Sequence, residues 1–158
     1  MALYSKNYKS LSELKDGDLI GIPNDGSNED RALNLLASAG IIEYTSNINH
    51  PLQGITKYNV NVEFVELEAA NIPNNLADCA AIVVNGNYAL ESKLNSKANT
   101  LVAENFGEKE AAPYVNYLAV KEGNETSEKT KALIKAITDD KVKAYIEKTY
   151  GKAVVATY

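Results

Sequence analysis

Arg31 is the first residue with chemistry to offer. It stands in the stretch Leu19-Ile-Gly-Ile-Pro-Asn-Asp-Gly-Ser-Asn-Glu-Asp-Arg31-Ala-Leu-Asn-Leu-Leu36, where an apolar run gives way to a polar turn and then to apolar residues at helical spacing. A helix start leaves N–H groups without intrahelical partners, and its dipole favours negative charge. A guanidinium in the first turn adds a planar fork that grips a carboxylate through two bonds. Such a corner suits a carboxylate ligand; a solvated Arg on an exposed turn is the other reading of the same spacing. A second polar turn, Asn85-Gly-Asn-Tyr88, follows the apolar run 80–84. Asn24, Asn28, Asn85 and Asn87 carry amides that both donate and accept, which fits a zwitterion that needs both, and Tyr88 lies beside them. Singly, each Asn is a good turn residue. Two such turns together with Arg31 suggest a binding site.

The elements that must hold these residues alternate along the chain. Leu19, Ile20 and Ile22 read as a buried strand that Pro23 closes, with Ser27 or Asn28 as N-cap of the following helix. Ala32, Leu33, Leu36 and Ala39 recur at helical spacing until Gly40 ends it. Residues 2–4 read as a short strand, and Ser10-Leu-Ser-Glu13 as a capping box that opens a short helix. A helical patch is expected over residues 51–57 and a strand over 60–67. The wholly apolar run 80–84 reads as a central parallel strand buried on both faces, followed by a helix over 89–92. Further strands are expected at 101–103 and 114–120. Two helices carry the faces Ala132, Leu133, Ala136, Ile137 and Val142, Tyr145, Ile146, Tyr150, before a strand-like tail at 153–157. Strands alternating with helices imply an α/β fold with a largely parallel sheet. In such sheets ligands gather at the carboxyl ends of the strands, where both Asn-rich turns lie.

Composition narrows the function classes. The 158 residues are 45% hydrophobic, enough for a real core in one domain, or in a lobe with a fragment of another. A net charge of −5 and no basic stripe argue against a nucleic-acid partner. Cys79 is the single cysteine, so no internal disulfide is possible, and its place beside residues 80–84 reads as a buried, inert thiol. No stretch approaches the roughly 18 apolar residues of a membrane helix. No signal peptide is read either, since Met1 runs almost directly into foldable sequence.

Catalytic readings find little. His50 is the only histidine and precedes Pro51 in a loop, so it is expected in solvent and supplies neither a zinc set nor a Ser–His couple. Glu66 and Glu68 are two apart on a strand and read as a solvated strand edge. No Walker A or GxGxxG motif occurs, and the Asn124-Glu-Thr126 sequon carries little weight. The chain is expected to be no enzyme, with no metal and no cofactor.

Leu3-Tyr-Ser-Lys6 with Tyr8-Lys-Ser-Leu11, Ile22-Pro-Asn-Asp25 with Ser27-Asn28 and Arg31-Ala-Leu33, Val65-Glu-Leu-Glu-Ala-Ala70, Val84-Asn-Gly-Asn-Tyr-Ala89 and Tyr150-Gly-Lys-Ala-Val-Val155 occur in this order over nearly the whole chain. In these motifs the sequence resembles the C-terminal part of the NlpA-type methionine-binding lipoproteins, the substrate-binding components of a bacterial ABC importer. It departs from the family pattern at Gly26, Asn71 and Ala156-Thr-Tyr158. The resemblance implies a type II periplasmic-binding-protein-like lobe over residues 1–120, including both hinge strands. Residues 121–158 would be a C-terminal helical segment of the other, incomplete lobe. It implies binding of L-methionine, a related amino acid or a methionyl dipeptide, with Arg31 on the ligand carboxylate and Asn85 on the head group. Asn24, Asn28, Asn87 and Tyr88 would lie nearby. Permease subunits of the importer would be partners, and the location would be extracytoplasmic, at the cell envelope. A signal peptide, a lipid-bearing Cys and most of a first lobe are not in this sequence. A truncated, non-binding paralogue acting as an interaction module is the alternative, and a homodimer through the C-terminal helices is expected in either case.

Overall fold

Short runs of consecutively buried residues place the sheet at the centre of the fold. The computed structural model describes residues 1–105, 115–151 and 154–158. Two compact units appear, Met1–Glu104 and Asn105–Tyr158. In the first, β1 (Ala2–Ser5), β2 (Leu19–Pro23), β5 (Glu63–Leu67), β6 (Ala81–Val84) and β7 (Asn99–Ala103) form one sheet in the order β5-β2-β6-β1-β7. A separate ribbon pairs β3 (Ile42–Tyr44) with β4 (Ile55–Tyr58). Strand β2 runs parallel to β5 and β6, while β1 runs antiparallel to both β6 and β7, so within the five-stranded sheet every strand but β1 points the same way.

Each position of β6 is buried, and its side chains divide between two faces. Ala81 and Val83 join Leu3, Ile20 and Ile22 in the cluster covered by Ala32, Leu33 and Leu36 of helix α1 (Gly26–Ser38). Ile82 and Val84 join Tyr4, Ile72 and Leu94 on the opposite face, beside Ala89 of helix α2 (Gly86–Glu91). This is the two-sided burial expected of a continuously apolar central strand. Helix α1 stops where Gly40, at φ +75°, takes a left-handed conformation that a side chain would resist.

The second unit holds α3 (Glu128–Ile137) and α4 (Asp140–Tyr150). Ser127 accepts from the Thr130 N–H at 3.2 Å, and Asp139 from the Lys141 N–H at 2.9 Å, which are ordinary N-caps.

Five sequence expectations need correction. The N-cap of α1 is Asp25, not Ser27 or Asn28: its carboxylate accepts the Asn28 N–H at 3.0 Å, so the helix begins earlier and Arg31 sits in the second turn. Ser10 makes no cap bond, and residues 11–13 form only one 3-10 turn. Residues 51–57 are not a helical patch. Pro51–Gly54 is a 3-10 turn, and β-branched Ile55 and Thr56 open a strand that finds its partner in β3. Residues 115–120 are not a strand; Tyr117 is 80% exposed with no ladder beside it, and residue 114 lies outside the described residues. The tail 154–158 is likewise unpaired, and residue 153 lies outside the described residues.

Candidate functional site

The carboxyl ends of β2, β5, β6 and β7 share one edge of the sheet, and Asn24, Glu68, Asn85 and Glu104 are the residues that follow them. Asn85 sits between β6 and α2, half-buried, and Asn28 lies in the first turn of α1. The two meet: Asn85 Nδ2 donates to Asn28 Oδ1 at 2.8 Å. The chemistry of Asp25 decides the sense of that bond. Burial works against its charge, but hydrogen bonds from the Asn28 N–H and amide and from Ser27 outweigh it and hold the carboxyl below its usual range. Asp25 is therefore an acceptor only, and the Asn28 amide must donate to it, at 3.0 and 3.1 Å. Asn28 Oδ1 is then turned to Asn85, whose Nδ2 answers it. Asn85 Oδ1 is left buried with no hydrogen-bond partner among the described residues. A buried acceptor in this state costs free energy until a donor arrives.

Arg31 lies three positions after Asn28, on the same face of α1. Its Nε donates to Glu104 Oε1 and its Nη2 to Glu104 Oε2, both at 2.6 Å, a two-bond fork between side chains 20% and 7% exposed. The Met1 ammonium also donates to Glu104 Oε2, and burial pushes its pKa down. Glu104 was not among the sequence candidates. Its signal was its position directly after the strand read at 101–103, at the edge where ligands gather.

The remaining predicted site residues are not joined to this cluster by any hydrogen bond found among the described residues. Asn24 is exposed and its N–H extends the sheet, donating to Leu67 O at 2.9 Å. Asn87 is exposed, and Tyr88 packs beside the second core cluster. Asn24 instead lines a cavity of about 510 Å³ with Gly26, Glu29, Ile48, His50 and Glu66. Glu29 is 3% exposed there. Burial, with the charges of Glu66 and Asp25, pushes its carboxyl up to about 7 against the one N–H supplied by Leu52. His50, Glu66 and Glu68 are exposed, as their sequence contexts imply. Asp30, in contrast, is a structural carboxylate: it accepts from Tyr44, Ser46 and the Asn47 N–H at 2.7, 2.6 and 3.1 Å and so ties the 44–47 loop to α1. Cys79 is buried, and burial pushes its thiol up, which leaves it a poor nucleophile. Among the described residues no three His, Cys, Asp or Glu side chains are placed to hold a metal ion. No helix among them is long and apolar enough to cross a membrane.

The sequence and fold as a whole match a specific group of proteins. The model of the NlpA lipoprotein family matches residues 1–158. The chain belongs to that family. It is 38% identical to the methionine-binding lipoprotein MetQ of Bacillus subtilis over 160 aligned positions, covering 97% of this chain and 57% of the relative. Among solved structures it resembles a nutrient binding protein from Burkholderia cenocepacia bound to methionine, with a TM-score of 0.87 and 33% identity. That match covers 99% of this chain and 66% of the other. It also resembles an ABC transporter periplasmic substrate-binding protein from Coxiella burnetii, with a TM-score of 0.87, 32% identity, and 99% and 65% covered. The chain thus spans little more than half the length of the curated relatives it matches. The mainly parallel α/β fold and the family expected from the motifs are both found.

Proposed function

We propose that this chain carries the head-group side of a substrate-binding site for methionine or a closely related amino acid or methionyl dipeptide, and that it works by capture without chemistry. One observation carries the reading: Asn85 Oδ1, buried and without a partner among the described residues, asks for a donor, and an α-ammonium supplies one. Arg31, one helical turn from Asn28, answers the carboxylate of the same zwitterion, with Asn24, Asn87 and Tyr88 as outer members of the site. Residues 1–120 would be the ligand-binding lobe, residues 121–158 part of a second lobe, and permease subunits of an ABC importer the downstream partners at the cell envelope. Closure between two lobes normally buries most of a small ligand, so this chain alone is expected to bind weakly.

The test is an NMR titration with L-methionine that follows the side-chain amides of Asn28 and Asn85 and the Nε–H of Arg31. Shifts confined to these groups support the reading, and their loss in Asn85→Ala assigns the acceptor. A spectrum unmoved at millimolar methionine would overturn it.

A second reading rests on the exposed apolar residues Leu133, Ile134, Ile137 and Tyr145, which favour a protein-interaction module. A methionine response at Asn28 and Asn85 separates the first reading from the second, since self-association is expected under both.

A further inference from the structure

Helix α1 turns different faces to the two edges of the sheet. Arg31 reaches Glu104, which follows the edge strand β7. Glu29 stands two positions earlier, about 200° round the helix, and shares a cavity with Glu66 of β5, the opposite edge strand. Of the residues assigned to the amino-acid site, Asn24 alone lines this cavity. Its volume of about 510 Å³ falls in the range of small-molecule sites.

The cavity carries negative charge without a matching cation. Glu29 and Glu66 line it, and no Lys or Arg is found there among the described residues. Glu66 is exposed, but Glu29 is only 3% exposed, and the donor found for it among the described residues is the Leu52 N–H. A carboxylate has about four acceptor positions, and one buried this far ordinarily has a cation or several donors beside it. The titratable groups that face Glu29 are Glu66 on β5, Asp25 at the helix cap, Tyr44 on β3 and His50 on the loop. A helix N-terminus favours anions, yet here its positive end is already answered by the ionised Asp25 cap. Ile48, Pro51 and Leu52 add apolar surface to the same cavity. Carboxylates beside apolar surface suit an organic cation better than a hydrated metal ion, and the described residues hold no three-ligand metal set.

We propose that this cavity is a second binding site, separate from the amino-acid corner, which takes a small alkylammonium ion with its charged head at Glu29 and Glu66 and its alkyl chain along Ile48 and Leu52. Burial and its acidic neighbours hold the Glu29 carboxyl at about 7. Below that pH Glu29 is protonated and offers the cation no charge; above it the carboxylate is formed. The cation is therefore taken up more tightly as the pH rises through 7.

The experiment titrates n-butylammonium into the whole chain at about pH 8 and about pH 5.5, with n-butanol as the neutral probe of equal length. Binding is read by NMR at the backbone N–H groups of Ile48 and Leu52. At the higher pH butylammonium should shift both signals and saturate, while butanol should scarcely move them. Glu66→Gln, a change on an exposed strand position, should weaken binding about tenfold, the scale of one partly screened charge–charge interaction. Glu29→Gln should abolish the response. At the lower pH the parent should bind about tenfold more weakly, and His50→Gln should keep that dependence, which assigns it to Glu29 and not to the imidazole. An equal response to butanol, an unmoved spectrum at the higher pH, or full affinity in Glu66→Gln would sink the inference. Displacement of butylammonium by L-methionine would do so too, because it would make the two sites one. The proposed function stands or falls separately, since it is read at Asn28, Asn85 and Arg31.

Discussion

Asn85 donates to Asn28 Oδ1 at 2.8 Å, and this bond joins the start of α2 to the first turn of α1 across 57 positions of the chain. The Asn28 that receives it also donates to Asp25, the N-cap of α1. Helix capping and the geometry of the proposed site are therefore one hydrogen-bond relay, which runs from an ionised carboxylate to a buried acceptor without a partner among the described residues. Stability and binding should respond together when its first member is changed.

Asp25→Ala should cost about 1 kcal/mol of unfolding free energy, the ordinary worth of an N-cap. It should also weaken the methionine response at Asn85, because Asn28 loses the acceptor that fixes its amide. Asp25→Asn should keep most of the cap but no longer dictate which end of the Asn28 amide faces Asn85. Urea denaturation of both variants, with the NMR titration repeated on each, checks the pairing. Lost stability with an undiminished ligand response would break the link.

Arg31→Ala should destabilise the chain by about 1–3 kcal/mol, since it strips the fork from a carboxylate that is mostly buried. Glu104→Gln in the same background should then cost little more. A double-mutant cycle by chemical denaturation reads the coupling, expected at about 0.5–3 kcal/mol for groups in direct contact. Additive losses would show that the pair contributes nothing as a pair.

How much of this was legible beforehand depended on the range of the forces involved. Strand β6 could be read because five consecutive apolar residues have few other uses, and the faces of α1, α3 and α4 because helical periodicity is a local property. The Asn28–Asn85 contact was implied only as two polar turns at one sheet edge; its bond sense needs Asp25, and that requires coordinates. The N-cap was misplaced because Asp25, Ser27 and Asn28 are all good caps, and the choice between them is made by a bond of 3.0 Å. Glu104 was overlooked because a Glu after a short strand looks like any solvated turn residue until Arg31 is seen opposite it. The false strands at 115–120 and in the tail share a cause: alternation records what a strand would bury, not whether a neighbour is there to pair with it.

Glu29 makes stability pH-dependent. Its carboxyl is raised from 4.5 to about 7 by burial and by the charges of Glu66 and Asp25. Between those two values the folded chain holds a proton that the unfolded chain has released. The contribution of Glu29 is therefore present below pH 4.5 and is lost as the pH rises through 7. Glu29→Gln should flatten this part of the profile. Thermal melts between pH 5 and pH 7.5, with and without the substitution, test it; identical slopes would rule Glu29 out as the source.

Gly26 should not tolerate a methyl group, although alanine is the better helix former by about 1 kcal/mol. A Cβ there would lie 2.4 Å from the Ile48 carbonyl oxygen, so the loop that walls the cavity beside Glu29 must move. Gly26→Ala is expected to be destabilising by about 1–3 kcal/mol, as overpacking usually is. A stabilised variant would show that the loop yields freely.

Self-association is the last expectation, and it follows from α3 and α4. Leu133, Ile134 and Ile137 stand 43–44% exposed on α3, and Tyr145 stands 60% exposed on α4. Fully burying one such side chain is worth about 1.5–3 kcal/mol, so several together offer a substantial driving force for association. A second copy of the chain presents the same faces, and a two-fold pairing of like patches is the simplest closed arrangement. Exchange of the helices between copies is open to it as well, because Gly123, at φ +84°, lies in the polar link before α3. A homodimer through α3 and α4 is therefore expected. Size exclusion with light scattering over a dilution series should give twice the chain mass at the concentrated end. Ile134→Glu with Ile137→Glu should return the monomer without loss of helix by circular dichroism. A monomer throughout the series, with α3 and α4 strongly protected from hydrogen exchange, would mean that these faces are covered within the chain itself.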